Sequence, residues 1–429
     1  MLNPNLQIAG TVAPGFESVR DLYAIRMATL AERNTQLCVY HKGEKVVDLW
    51  ATQIGDRSFT ADSLVNIFSS GKSMESIALA SLHGRGLLDY DKKIADYWPE
   101  FAQNGKQDLA VADLMRHETG LASFDRSLDP EALFPENLKK NAIAPTVEAQ
   151  RARFPERDDT RREYHALTRG WIANEVFRRV DPAGRTIGEF LREEVSVPLE
   201  VEVYTGLRAA EIGRVSPVEV VSFLFVFLQS LLPKALGRRI EKNVFQLGVR
   251  IYQILRGARK GSTIRRSVPP LEGKGGFPDF NDRAIRMGET PSANTHSNAR
   301  SLAKIAAALA AGGTLGEQKL LDPAACEALH AETTEADMII MPTSFSQGGV
   351  NAFRATHVGS PELGRALNEG REGFFGWMGL GGSIFQWHPE HEIGFGYVPT
   401  SLHVLDLFNE RGKAYQAEVL RCVERLAAA

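Results

Sequence analysis

A serine and a lysine three residues apart open the helix on which this chain is organised, in residues 63–89, SLVNIFSSGKSMESIALASLHGRGLLD. Ser69 and Lys72 form an S-x-x-K motif. Apolar residues then recur at helical spacing until two glycines end the pattern, which predicts a helix. Positions three apart share a helix face, so the Lys72 amine can reach the Ser69 hydroxyl. Because a serine hydroxyl needs a neighbouring base or a field that favours its alkoxide, this pair indicates a nucleophile with its base.

The composition is that of a globular protein with a sizeable core. The 429 residues are 43% apolar and 24% charged, with a net charge of −3, and the length allows two or three domains or one large two-lobed enzyme. The three cysteines lie far apart and form no C-x-x-C, which argues against a zinc knuckle or a disulfide framework and is typical of a reducing compartment.

Neither a signal peptide nor a membrane span is predicted. The first residues lack a basic region followed by an apolar one. The most apolar run, at 220–232, has thirteen residues, whereas a bilayer span needs about 20. We therefore expect a cytoplasmic protein.

Similar elements occur at the two ends of the chain. In order, they are a helix at 16–32, strands at 36–41 and 45–51, strands at 383–388 and 392–398, and a helix at 404–427. The middle is mostly helical, with clear helices at 168–180 and 297–313, and a loop-rich section follows a helix after Leu321.

These elements predict an α+β fold in which both termini close one antiparallel sheet, flanked by the N- and C-terminal helices. A mostly helical lobe is inserted between the two parts of the sheet. The predicted domains are residues 1–62 together with 290–429, and residues 63–289.

A basic segment lies inside the predicted helical lobe, at 217–266. Between Lys234 and Arg266 there are ten basic residues and one acid, Glu241. One interpretation is a solvated basic face on a helix pair that caps the active-site lobe. Another is a lid that touches an anionic membrane or substrate. Nucleic-acid binding is not expected, because aromatic interleaving and any recognisable module are missing.

Two more stretches could supply the partners that Ser69 needs. Tyr164 stands shortly before a predicted helix, and near two cationic groups the pKa of its phenol can fall far enough for a general base. Residues 375–383, FGWMGLGGS, precede a strand, and their glycines let backbone N–H groups face a substrate, as an oxyanion hole requires. Taken alone, each has a simpler explanation: a half-buried packing tyrosine and an ordinary turn into a hairpin.

Together and in this order, the motifs SSGK at 69–72, YHA at 164–166 and WMG at 377–379 resemble those of the beta-lactamase-related serine hydrolase family. That family comprises class C beta-lactamases, D-alanyl-D-alanine peptidases, family VIII carboxylesterases and eukaryotic beta-lactamase-like proteins. The resemblance covers roughly residues 16–210 and 290–420, and it implies a beta-lactamase/transpeptidase-like fold. The basic segment is an insertion without a match.

The resemblance implies an acyl-enzyme mechanism that uses no cofactor. Ser69 would attack a carbonyl, and Lys72 and Tyr164 would move the proton between nucleophile and leaving group. Backbone N–H groups of Ser69 and Leu380 would hold the oxyanion. The other residues expected at the substrate site are Trp377, Gly379 and His165.

Two departures from the lactamase pattern decide the expected substrate. The Y-x-N triplet is YHA here, so the asparagine that binds the substrate amide is absent. The K-T-G triplet is WMG, so the cation that faces a β-lactam carboxylate is absent too. Because W-x-G is similar to the form found in family VIII esterases, we predict a carboxylesterase on small acyl esters with weak or no β-lactamase activity.

Several alternatives stay open at this point. The same fold could serve an amidase, a peptidase or an acyltransferase, and the chain could be a catalytically idle scaffold that acts through assembly or membrane contact by residues 217–266. No metal site is expected, because His388 and His391 flank a predicted turn without a third ligand. His117 is interpreted as a structural histidine. The oligomeric state is left open.

Overall fold

A nine-stranded antiparallel sheet forms the centre of the computed structural model, which describes residues 3–153, 162–259, 268–272 and 279–428, with only the backbone of 256–259. In chain order its strands are β1 Gln7–Val12, β2 Asn34–His41, β3 Glu44–Thr52, β4 Thr334–Met338, β5 Met341–Phe345, β6 Asn351–Ala352, β7 Phe375–Met378, β8 Ile384–His388 and β9 Ile393–Pro399. They lie in the order β1-β3-β2-β9-β8-β7-β6-β5-β4. The two ends of the chain meet where β9 pairs with β2, with Phe395 opposite Val39. The predicted sheet is confirmed.

Helices cover both faces of this sheet. The helices of eight or more residues are α1 Glu17–Thr29, α2 Lys72–Gly84, α3 Thr168–Val180, α4 Phe223–Ser230, α5 Val244–Arg259, α6 Ala299–Ala310, α7 Pro323–His330, α8 Pro361–Asn368 and α9 Glu410–Ala428. The terminal helices α1 and α9 pack together on one face, where they share a core with Leu37 and Val39. Cys38, between those two residues, belongs to the core on the other face with α6, as the alternation of side chains along a strand requires.

The lobe between β3 and β4 is mostly helical. Its shorter helices are Ile94–Tyr97, Val111–Met115, Pro135–Leu138, Ala144–Ala149, Ile187–Phe190, Val197–Leu199, Ala209–Ile212 and Arg283–Met287. A small sheet joins Val65–Asn66, Thr295–Ser297 and Val203–Thr205 beside the start of α2. Helix α2 is buried along its whole length up to Leu82 and packs against α3 and α7, so its S-x-x-K end is held on every side.

Two predictions about the C-terminal part were wrong. The section predicted as loop-rich contains β4 to β7, which are short, and one of them is broken by Pro342, so their alternation is weak. The closing helix begins at Glu410 rather than at 404, because the Asp406 carboxylate accepts a hydrogen bond from the Glu410 N–H and caps the helix there.

The basic segment folds as a helix pair, α4 and α5, up to Arg259. Residues 260–266 of the predicted insertion lie outside the described residues. Within the described ranges, no helix has both the length and the apolar character that crossing a bilayer requires.

Candidate active site

Ser69 lies in a 3-10 turn, Phe68–Gly71, that leads directly into α2. Phe68 has a φ of +48°, in the left-handed region that a bulky residue rarely adopts and that is common at functional sites. Ser69 is half-buried and lines a cleft. The predicted nucleophile is therefore held in a strained turn and remains accessible.

Lys72 is fully buried, with its amine against Ser69. Its Nζ lies 3.3 Å from Ser69 Oγ and donates to the carbonyl oxygens of Ala166 at 2.8 Å and Ser292 at 3.0 Å. Burial lowers the pKa of Lys72 well below the usual lysine value; the nearby Glu75 opposes this shift and Arg169 adds to it. In a neutral amine whose two N–H groups serve the carbonyls, the lone pair is left to face the Ser69 hydroxyl.

A buried ion pair, which sequence reasoning missed, supports the end of α2. Arg169 Nε and Glu75 Oε2 are 2.9 Å apart with both side chains inaccessible. Arg169 also donates to the carbonyl oxygen of Lys72 at 2.9 Å, and Glu75 accepts from the Ser292 hydroxyl at 2.5 Å. The pair thereby holds the start of α2 and the Ser292 segment, whose carbonyl accepts from the Lys72 amine. Glu75, a charged residue inside an otherwise apolar helix, is the signal that could have revealed it.

Tyr164 lies over the same two residues. Its phenol lies beside the Ser69 hydroxyl in the same cleft, Trp377 Nε1 donates to its Oη at 3.2 Å, and the Lys72 amine lies 4.9 Å from the ring centroid. Burial raises the pKa of Tyr164 above its ordinary value, although the hydrogen bonds from Ser69 and Trp377 work against the rise. The expected fall of this pKa was wrong, because loss of hydration outweighs the neighbouring cations.

His165 does not line the cleft, contrary to the prediction. It is fully buried, its Nδ1 lies 2.5 Å from the Glu163 carbonyl oxygen, and its Nε2 accepts from the Leu121 N–H at 3.2 Å and pairs with the Thr119 hydroxyl at 2.8 Å. Burial lowers the pKa of His165 to about 3. A neutral ring with both nitrogens occupied has a structural role.

His117 is also buried, and its ring packs 5.2 Å from that of Tyr164. Its Nδ1 accepts from the His165 N–H at 3.1 Å. These contacts agree with the interpretation of His117 as a structural histidine that supports Tyr164 from below.

The glycine-rich segment after β7 lies against the Ser69 turn. A Cβ at Gly379 would stand 2.3 Å from the Ile67 carbonyl oxygen, so only glycine allows this approach. Ser383 donates to the same oxygen at 2.6 Å, and Asn409 Nδ2 donates to the carbonyls of Gly379 at 3.1 Å and Ser383 at 2.8 Å. The segment is therefore clamped from both sides.

In the described part of the chain, the amides of Ser69 and Leu380 make no backbone hydrogen bond outside their own 3-10 turns. They belong to the two segments that Gly379 and Ser383 bring together. Unpaired N–H groups held by rigid neighbours are what an oxyanion hole needs.

The cleft in front of Ser69 has an empty volume of about 480 Å³ and mostly apolar walls. Its lining residues are Ser69, Tyr164, Met341, Trp377, Met378, Gly379, Leu380, Gly381, Val404, Asp406, Leu407 and Asn409. Among the described residues, this lining contains one acid and no basic side chain. The same described ranges contain no group of three His, Cys, Asp or Glu residues placed to hold a metal ion.

Comparisons with known proteins agree with this geometry. The Beta-lactamase family model matches residues 19–219. The chain is 26% identical over 405 residues to Esterase/beta-lactamase LipL of Mycobacterium tuberculosis, which spans 92% of this chain and 83% of that protein. The crystal structures of a penicillin-binding protein homolog from Caulobacter crescentus and of a family VIII carboxylesterase are each 27% identical. They have TM-scores of 0.72 and 0.71 and cover 97% of this chain and 100% of theirs. The sequence and the fold match those of the beta-lactamase-related serine hydrolase family.

In this chain, both positions that correspond to the lactamase anchors carry apolar side chains. Trp377 stands where the lactamase motif has lysine; it is buried, and its indole N–H is directed to Tyr164. Ala166 stands where the motif has asparagine, and only its backbone carbonyl takes part, as an acceptor for Lys72. A D-amino acid amidase from Ochrobactrum anthropi, at 14% identity and a TM-score of 0.58, shares the fold.

Proposed function

We propose that the protein is a serine carboxylesterase that forms an acyl-enzyme on Ser69. The observation that carries this proposal is the contact of the Ser69 hydroxyl with a buried amine of lowered pKa and a phenol of raised pKa. At neutral pH these environments favour a neutral Lys72 amine, which can act as a base, and a protonated Tyr164 phenol, which can act as an acid.

Acylation begins with Lys72 as the base. As Ser69 Oγ bonds to the ester carbonyl carbon, its proton passes to the lone pair of Lys72 Nζ. The carbonyl oxygen becomes an oxyanion, for which the amides of Ser69 and Leu380 are the proposed donors. The 3.3 Å between amine and hydroxyl is expected to shorten in the complex, as such hydrogen bonds commonly do.

Collapse of this intermediate breaks the bond to the alcohol. The leaving alkoxide takes the proton of Tyr164, and the Lys72 ammonium restores it. Water then attacks the acyl-enzyme carbonyl and gives a proton to Lys72, which returns it to Ser69 Oγ as the acid leaves. Atoms and charges balance: ester and water become acid and alcohol, and every protein group ends as it began.

The cleft supports a neutral ester as the substrate. Its walls are mostly apolar, and the described residues of its lining include no basic side chain that could pair with the carboxylate of a β-lactam. Similar proteins named an esterase/beta-lactamase and a family VIII carboxylesterase support the same choice.

A substrate panel with an active-site label tests the proposal. We expect p-nitrophenyl acetate and butyrate to be hydrolysed, with nitrocefin and the matching p-nitroanilides at least about 100-fold poorer in kcat/KM, a transition-state difference of about 2.7 kcal/mol. A fluorophosphonate probe should label Ser69, as located by peptide mass spectrometry. Anilides cleaved as fast as esters would indicate an amidase. A folded protein with neither label nor turnover would contradict the proposal.

Trp377→Phe tests the contact between the indole and Tyr164. The substitution keeps an aromatic ring but removes the N–H that donates to Tyr164 Oη. Losing one hydrogen bond of about 1 kcal/mol is expected to lower kcat by roughly fivefold to tenfold with little change in KM. Steady-state kinetics give both constants. A raised KM with unchanged kcat would mean that Trp377 serves only to bind substrate.

A further inference from the structure

The helix pair of the basic segment and its flanking residues carry most of the large apolar side chains that are exposed in the described part of the chain. Of the nineteen large apolar side chains exposed among the described residues, thirteen lie between Val220 and Leu255. They are Val220, Phe223, Leu224, Phe227, Leu228, Leu231, Leu232, Leu236, Phe245, Val249, Ile251, Tyr252 and Leu255. Contiguous apolar surface of this kind is rare on a protein that stays free in water and marks an interaction site.

Each helix of the pair turns one face outward. On α4, Leu224 is 68% exposed and Leu228 52%, four residues apart, whereas Ser230 is buried. On α5, Phe245 is 81% exposed and Val249 53%, again four apart. The two helices contact each other, so their outward faces make one surface, which we call the apolar face.

The inner side of the pair is fixed to the protein. Glu241 is ion-paired with Arg26, and Lys242 with Glu410. Arg239 Nη2 donates to Gln53 Oε1 at 2.6 Å. Such pairs at the base of α5 hold the apolar face outward instead of letting it fold onto the body.

We propose that this apolar face docks the protein on an anionic lipid surface. The argument for lipid is charge. Lys234 is exposed beside the apolar face, and the sequence adds Arg256, Arg259, Lys260, Arg265 and Arg266 at and after the end of α5. The one acid between Lys234 and Arg266, Glu241, is already paired with Arg26. An exposed apolar helix pair within a segment of strongly basic sequence is the pattern of helices that lie in an anionic membrane interface.

A second copy of the chain fits this surface less well. In a two-fold dimer the same patch faces itself, so the strongly basic segment of one copy would lie against that of the other. Like charges placed together across an interface disfavour the complex. An anionic bilayer matches both the apolar face and the basic sequence of the segment.

The docked orientation would bring the cleft to the lipid. A groove with an empty volume of about 540 Å³ runs beneath the pair, lined by Val226 and Leu247 among others, and it shares Val404 and Asp406 with the cleft of Ser69. Taken with the proposed esterase activity, this makes esters held in a membrane the substrate class. The docking itself does not depend on that activity.

Flotation with lipid vesicles tests the docking on the full chain. We expect wild type to float with phosphatidylcholine vesicles that contain phosphatidylglycerol, more weakly with phosphatidylcholine alone, and less as salt is raised. The double variant Leu228→Glu, Phe245→Glu should reduce the bound fraction by about tenfold or more, because it buries two carboxylates in the interface. Both positions are exposed, so folding should be retained, which circular dichroism checks.

Val197→Glu is the matched control, since Val197 is 73% exposed on a different helix; it should float like wild type. Wild type that stays with the soluble fraction at low salt would overturn the proposal. So would a dimer in sedimentation velocity that the double variant dissociates while neither protein floats, because that result would make a second copy the occupant. Flotation does not measure ester turnover, so failure of the docking proposal can be distinguished from failure of the esterase proposal.

Discussion

Ser69→Ala is expected to lower kcat/KM for p-nitrophenyl esters by about 10⁴-fold or more, as removal of a nucleophile does in other serine hydrolases. The variant keeps the amine, the phenol and the clamped glycine segment but offers no oxygen to acylate. Fluorophosphonate labelling should disappear with the activity. The measurement is steady-state hydrolysis beside intact-mass analysis after labelling.

Ser73→Ala is the control for this substitution. Ser73 lies one helical turn further along α2, is 1% exposed, and its hydroxyl has no hydrogen-bond partner among the described residues. It should keep wild-type turnover and label. Ser69→Ala that retains more than about a tenth of the activity, while Ser73→Ala loses it, would place the nucleophile elsewhere.

Elements formed by residues close in sequence could be predicted, because the spacing of their residues determines their structure. Helix α3 begins at Thr168 and ends at Val180, as its periodicity predicts. Ser69 and Lys72 come together because residues three positions apart lie on the same side of one helical turn. The terminal hairpins follow from alternation bounded by turn residues. In these elements, the interactions that determine the structure are between residues close in sequence.

Burial by distant segments could not be predicted in the same way. His165 stands beside Tyr164 in the sequence, yet Thr119 and Leu121 enclose it and hold both nitrogens. The Glu75–Arg169 pair joins residues 94 positions apart. The direction of the pKa shift of Tyr164 likewise depends on how much of its hydration the folded chain removes, and no spacing rule contains that quantity.

The geometry also explains how Trp377 can occupy the position of the lysine in the lactamase K-T-G motif and leave no cavity there. A lysine at that position would bring a cation to an apolar cleft, whereas the indole fills the space and donates one directed N–H to Tyr164. The fold alone is compatible with lactams, amides and esters. If the proposed esterase function holds, the side chains at the two anchor positions are expected to favour the ester.

Lys72→Met is expected to lower kcat/KM by about 10³-fold to 10⁴-fold. The variant loses both the general base and the positive charge that the amine acquires when it takes the proton of Ser69. Lys72→Arg should be nearly as inactive, because a guanidinium does not give up its proton in proteins. Both variants keep an unbranched side chain in the buried channel of Lys72. Thermal melting should show folded protein in each case.

The pH profile separates a base from a cation that merely binds. Since Lys72 must be neutral, kcat/KM should rise with pH through its depressed pKa, well below the usual lysine value. Since Tyr164 must keep its proton, the rate should fall only in the alkaline range, above the ordinary tyrosine pKa of 10.0. Tyr164→Phe should lose the alkaline limb together with most of the rate. An acid limb at the ordinary lysine pKa would mean that Lys72 is protonated at neutral pH, and it would contradict both the lowered pKa and the role of Lys72 as the base there.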